Sequence, residues 1–178
     1  MVDGVDLDAL ERWMDGQGLG EGPIADAITL AGGTQNILLR FSRSGRSYVL
    51  RRPPPVLRAN SNETMRREAR VLAALKGSNV PHPELIAACP EENVIGASFY
   101  LMEPIEGFNA TQGLPALHSG DVAIRHRMGL AMVEAIAALS RVDYRAVGLE
   151  GFGKLDNWIE RQVGRWASQL ASYAEMPG

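Results

Sequence analysis

Two hydrophobic periods alternate along this chain, and each switch between them marks an element. Leu7, Leu10, Trp13 and Met14 recur at helical spacing until "DGQGLGEGP", where glycines and a proline break any regular element. A short leading helix and a loop are therefore expected. Three extended runs follow at 24–31, 36–42 and 46–52, punctuated by Gly32-Gly33 and by "SRSG", a hairpin composition, and they read as an antiparallel meander. Pro53-Pro54-Pro55 ends it, because proline supplies no ladder donor and disfavours helix in the residue before it. A helix opens near Asn60, with Glu63 three residues on in a capping-box arrangement, and runs to a glycine stop at Lys76-Gly77. Two further runs, 84–89 and 97–103, flank the turn-rich "PEENVIG" and bring the set to five strands with one inserted helix.

Beyond Pro104 the composition changes. "PIEGFNATQGLPALHSG" is linker-like, and after it Val122, Arg125, Met128, Met132, Ile136 and Leu139 mark a long amphipathic helix over 121–139. "NWIERQVGRWASQLASYA" marks another within 155–174, with Trp158, Val163, Trp166 and Leu170 expected to be buried. The expected organisation is a first lobe over 1–105, a linker over 106–120 and the start of a helical lobe over 121–178. No internal repeat or low-complexity segment interrupts it.

One residue breaks the pattern. On a helical wheel from Asn62 to Lys76, Met65, Ala69, Leu72 and Leu75 form the apolar stripe, Arg66, Arg67 and Arg70 lie opposite, and Glu68 falls inside the stripe. Burying a carboxylate unpaired costs several kcal/mol, a large share of a domain's net stability. In the preceding strand Tyr48, Leu50 and Arg52 face one way while Val49 and Arg51 face the other, so Arg51 is the candidate partner. The competing reading leaves Glu68 at the edge of the stripe, reaching water.

Composition narrows the functional classes. The 178 residues, 46% hydrophobic, suffice for a real core, and a net charge of −3 argues against a general nucleic-acid binder. No apolar run approaches the roughly 18 to 20 residues that span a bilayer, and "MVDGVDLDALERW" has neither a basic leader nor an apolar core, so a cytoplasmic protein without membrane partners is expected. The lone Cys89 reads as a small core residue, and His82, His118 and His126 lack partners at metal-ligand spacing. Gly16, Gly18 and Gly20 follow a helix rather than a strand and do not make a nucleotide fingerprint. Only Lys76 and Lys154 of the eighteen basic residues are lysines, so arginine carries the charge work.

A glycine turn between two strands, a cation on the third, a glutamate in the next helix, two more strands and a linker: this order resembles the small lobe of the protein-kinase-like fold. "YVLR" at 48–51 resembles the kinase V-A-I-K strand, with Arg51 where lysine is usual. The whole chain resembles the aminoglycoside phosphotransferase family, and within it the kinase-like domain found alone or fused to acyl-CoA dehydrogenases. The matching segments include "GGTQNILLR", "YVLRRPPP", "MRREARVLAAL", "VIGASFYLMEPIEG" and "VDYRAVGLEGFGK". The resemblance implies an α+β fold: a small lobe of a five-stranded antiparallel sheet plus one helix, then the first helices of a mostly helical large lobe. It also implies ATP with Mg2+. Gly33, Thr34 and Asn36 would lie near the phosphates, Val49 would roof the adenine, Arg51 and Glu68 would form the cleft's ion pair, and the backbone of Glu103 and Ile105 in "LMEPI" would meet the adenine edge.

Two departures qualify the resemblance. Leu139-Ser140 stands where the family commonly has a Leu-His pair. More consequentially, phosphoryl transfer needs an aspartate to orient the acceptor hydroxyl and an asparagine five residues later to help hold magnesium. None of the seven asparagines, at 36, 60, 62, 79, 93, 109 and 157, has an aspartate five residues before it. "HSGD" at 118–121 has an extra residue and His126 where asparagine is needed, so it reads as helix-entry chemistry, with Asp121 or Ser119 near the cap. The expectation is therefore a nucleotide-gripping portion that stops before the catalytic loop, with no catalytic or metal-ligating residue of its own, and that does not turn over alone. The alternatives are a non-catalytic nucleotide-binding module, self-associating through apolar helices that a missing half would otherwise cover, and a plain interaction domain. The acceptor implied is a small hydroxylated metabolite, with hydroxyacyl-CoA suggested by the dehydrogenase-linked branch.

Overall fold

A computed structural model describes residues 2, 4–30, 36–154 and 156–173. The chain separates into two compact units, 1–143 and 144–178. The first begins with helix α1 (Leu7–Gly16), capped by Asp6, whose carboxylate accepts the Ala9 amide. Strands β1 (Ala25–Thr29), β2 (Ile37–Arg43) and β3 (Arg46–Arg52) precede helix α2 (Ser61–Leu75), and strands β4 (Leu85–Cys89) and β5 (Phe99–Met102) follow it. The five strands form one sheet in the order β1-β2-β3-β5-β4, antiparallel at every pairing. The expected small-lobe architecture is present.

Local chemistry explains the elements. Ser44 and Gly45, between β2 and β3, both have positive φ (48° and 73°), the two-residue turn whose twist matches an antiparallel pair. The Ser44 hydroxyl donates to the Glu21 carbonyl and accepts the Glu21 amide, which pins the preceding loop against this hairpin. Gly77, at φ +74°, supplies the left-handed residue just past α2. The capping box expected at Asn60 and Glu63 does not form. Asn60 is the N-cap but its side chain makes no capping bond, and Glu63 instead lies 3.8 Å from Arg66.

Alternation splits the sheet into two faces. Leu39, Phe41, Tyr48, Leu50, Phe99, Leu101 and Cys89 join Val5, Leu10 and Met14 in the larger core, beneath α1. Phe41 stacks on Tyr48, and Trp13 meets Phe99 edge to face. Two arginines reach the same face and are almost completely buried. Arg43 donates to the Gly22 and Glu11 carbonyls and pairs with Asp15, tying α1 to the sheet. Arg52 donates to the carbonyls of Pro53, Gly4 and Ile95. On the opposite face Tyr100 packs with Met65 and Ala69 of α2, flanked by Leu72, Leu85 and Met102.

The segment expected to be a linker carries a 3-10 turn (Ala110–Gln112) and a short helix, α3 (Ala116–Gly120). Helix α4 (Val122–Ser140) follows, and Asp121 caps it as expected, its carboxylate accepting the Ala123 and Ile124 amides. In the second unit, helix α5 (Trp158–Tyr173) corrects the expectation of a buried stripe: Trp158, Val163, Trp166 and Leu170 are 59–70% exposed. Helical periodicity marks the face that favours burial but does not supply the element that covers it.

Candidate functional site

The register of the sheet builds the site. Leu38, Arg51 and Tyr100 are cross-strand partners in one row, and Arg40, Val49 and Met102 in the next, two residues along β3. Residues two apart share a face and stand about 7 Å apart along the strand. Both rows therefore point to the face that carries α2.

Glu68 meets its expected partner. Arg51 Nη2 donates to Glu68 Oε1 at 3.2 Å, and Arg51 Nε lies 2.9 Å from Glu68 Oε2, an ion-pair contact rather than an aligned hydrogen bond. The sequence reading missed the third member. The Tyr100 hydroxyl donates to Glu68 Oε2 at 3.0 Å. Tyr100 is 4% exposed, and burial, reinforced by the neighbouring Glu68 charge, pushes its pKa above the ordinary phenol value despite the opposing pull of Arg51. It therefore stays protonated and keeps its hydroxyl as a donor. The signal was available: alternation through "FYLM" places Tyr100 and Met102 on the face opposite Phe99 and Leu101. The pair is not sealed from water, since about 30% of each of the two side chains remains exposed.

Two clefts open on this face. The larger, about 660 Å3, is lined by Asn36, Leu38, Arg51 and Glu68 together with Arg58, Asn60, Ser61 and Thr64 from the β3–α2 connection and the start of α2. The smaller, about 400 Å3, is lined by Val49, Leu30 and Arg40 and by the chain from Pro104 to Asn109. Arg40 crosses to Glu106 at 2.9 Å. The expected site residues thus divide. Asn36, Arg51 and Glu68 share the first cleft, Val49 and Ile105 the second, and Gly33 and Thr34 lie outside the described residues. Glu103 lines neither. Its amide donates to the Glu84 carbonyl and its carboxylate lies 3.5 Å from Arg46, so its N–H is committed within the sheet. Arg58, Asn60 and the Arg40–Glu106 pair were not singled out from sequence, because loop residues carry no period to assign them a face.

Among the described residues, no group of three or more His, Cys, Asp or Glu is placed to hold a metal ion. Cys89 is a buried core residue of the opposite face, and burial, with the Glu91 carboxylate beside it, raises its pKa to about 11. No described helix is long and apolar enough to cross a membrane.

A family model for the phosphotransferase enzyme family (APH) matches residues 26–176. The chain belongs to that family. Over 98% of its length this phosphotransferase-family chain superposes on a candidate aminoglycoside phosphotransferase from Ralstonia eutropha, with a TM-score of 0.75 and 32% identity, and it covers 49% of that chain. Among curated proteins it is 38% identical over 130 residues to a probable acyl-CoA dehydrogenase of Arabidopsis thaliana, covering 72% of this chain and 16% of that protein. It is 32% identical over 165 residues to acyl-CoA dehydrogenase family member 10 of Mus musculus, covering 91% of this chain and 15% of that one. The chain thus spans about a sixth of these two curated relatives. A more distant structure, aminoglycoside phosphotransferase APH(4)-Ia in a ternary complex with AMP-PNP and hygromycin B, shares the fold at 18% identity and a TM-score of 0.50, over 77% of this chain and 40% of its own.

Proposed function

We propose that these residues are the N-terminal, nucleotide-binding portion of an ATP-dependent phosphotransferase acting on the hydroxyl of a small molecule. The observation that carries the reading is the Arg51–Glu68–Tyr100 cluster at the floor of one cleft, with a second, more apolar cleft beside it on the same face. The adenine would lie in the second cleft, under Val49 and beside Ile105, where the Ile105 amide and the Glu103 carbonyl are the hinge groups for its edge. The phosphates would lie in the first cleft, near Asn36, Arg51 and the turn containing Gly33 and Thr34. A bound ATP supplies a transferable phosphoryl group, with Mg2+ to neutralise its charge. The residues named here bind and orient it, and none is assigned to the metal.

Chemistry does not follow from this portion by itself. No aspartate–asparagine pair has the catalytic-loop spacing, so the 178 residues alone are expected to bind ATP without transferring phosphate. For the acceptor we favour a hydroxyacyl thioester over an aminoglycoside, because the curated relatives it matches are acyl-CoA dehydrogenase family proteins. Thermal denaturation with and without magnesium-ATP tests the nucleotide reading. A rise in Tm that grows with ATP concentration is expected, since a ligand of the folded state stabilises by mass action; an unchanged Tm at millimolar ATP would sink it.

A second reading has its own observation. Val122, Met132, Val133 and Ile136 of α4 are 60–71% exposed, as are the four α5 positions at 59–70%, and apolar helix faces of this kind drive association. A non-catalytic module would self-associate through them. Light scattering that shows a concentration-dependent mass, together with no response to ATP, would favour it.

A further inference from the structure

A third groove, between α2 and strand β4, shares no residue with the two clefts and holds about 240 Å3. On the helix, Met65, Ala69 and Ala73 stand four residues apart in one row and Arg66 and Arg70 in the next, so an apolar wall carries a cationic rim. Leu85 and Ala88 belong to the facing wall. Arg66 fastens the two walls: its Nε donates to the Pro90 carbonyl just past β4, and its Nη2 donates to Glu92, each at 2.9 Å. The groove is thus built before any ligand arrives. Both charged residues that line it are arginines, and no carboxylate does. Strand β4 is also the last of the sheet. Strand β5 takes one of its edges, and no described strand takes the other. Such an edge presents main-chain donors and acceptors to an added strand. Its protection is partial, because the register is irregular between Leu85 and Ala87 but regular from Ala87 to Cys89, and "LIAAC" carries no charge.

A second copy of this chain suits the edge poorly. Glu84 precedes β4 while Glu91 and Glu92 follow it, so two β4 strands laid side by side bring carboxylates together in either direction. We propose that the groove docks an extended acidic segment of a partner protein, which adds to the β4 edge, seats one large apolar side chain between α2 and β4, and sets carboxylates against the Arg66–Arg70 rim. These requirements fix a pattern. Alternate residues of a strand share a face, so the carboxylates stand two residues from the apolar anchor. Main-chain bonds supply affinity in this mode of recognition, and the pocketed side chain supplies specificity. The regular part of β4 is short, so the anchor and the charges must contribute. This inference stands apart from the nucleotide reading and does not depend on it.

The test is fluorescence anisotropy of the labelled peptide Thr-Glu-Thr-Phe-Thr-Glu-Thr with the intact chain, beside the same peptide carrying lysine for glutamate or alanine for phenylalanine. The acidic peptide should bind. Lysine in place of glutamate should weaken binding about fivefold or more, the scale of one exposed charge pair, and loss of the phenyl anchor should abolish it. Ala73→Trp, at an exposed position, should fill the groove and abolish binding, while Arg70→Glu should invert the order of the acidic and lysine peptides. If Ala73→Trp lowers Tm, Arg70→Glu decides alone. Amide hydrogen exchange across residues 85–89 should slow in the complex. No binding at millimolar peptide, binding that keeps its charge preference in Arg70→Glu, or binding without slowed exchange in β4 would each overturn the proposal. A dimer in light scattering that Ala88→Lys dissolves would overturn it too, since a second copy would then be the occupant.

Discussion

Arg51 and Arg52 are neighbours in β3 and occupy opposite worlds. Arg52 points into the α1-side core at 3% exposure and donates to three backbone carbonyls from three parts of the chain, those of Gly4, Pro53 and Ile95. Arg51 points to the cleft and holds a carboxylate that water can still reach. One residue type, one strand and one step along the chain separate a strut from a component of the candidate site. The comparison teaches that the pleat, not the residue type, assigns the role: successive side chains leave a strand on opposite faces, and the two faces of this sheet have different partners.

The comparison can be broken from its buried side first. Arg52→Ala should cost about 3 kcal/mol or more in urea unfolding, because it leaves three carbonyls without their donor inside a closed core. Arg52→Lys should recover only part of that, since an ammonium cannot spread its donors as the guanidinium fork does. Arg51→Ala should cost less, about 1 kcal/mol, since its ion pair is screened by solvent. Equal losses at the two positions would show that the faces are not distinct.

Tyr100→Phe sharpens the cleft side. It removes one hydrogen bond to Glu68 and keeps the ring, so about 1 kcal/mol of stability should go. A larger effect is expected on the response of Tm to magnesium-ATP, which would be weakened if Glu68 and Arg51 lose their fixed placement. An unchanged ATP response with lowered stability would make Tyr100 a packing residue only.

The core face is tested by a pH dependence. The folded pKa of Cys89 lies at about 11, raised by burial from an ordinary thiol value of 9.0. Above pH 9 the unfolded chain releases this proton while the folded chain keeps it, so the unfolded state binds fewer protons and stability falls as pH rises from 9 through 11. Urea midpoints should drop across that window, and Cys89→Ala should flatten part of the slope. The native thiol should also resist alkylation at pH 8, where thiolate is scarce and the side chain is buried.

Glu68 was legible because a charge interrupted a helical stripe, and Arg51 because alternation put it on the free face of the strand. Tyr100 followed from the same alternation and was passed over. Arg58 and Asn60 sit in an aperiodic connection, where only the path of the chain decides which cleft they line. The capping box failed although its two residues had the right spacing, and Asn60 became part of the cleft wall instead. Helices α2 and α5 have similar stripes, yet the sheet covers Met65 and Ala69 while Trp166 and Leu170 remain exposed.

By itself the sequence determined the order of the elements, the two faces of each strand and the one carboxylate that needed a partner, because each follows from a short-range period and the cost of burying charge. The tertiary structure alone decided which of two adjacent arginines became a strut, which tyrosine completed the Glu68 cluster and which loop residues line the cleft. Those depend on strand register and loop path, and both are set by contacts between residues far apart in the chain.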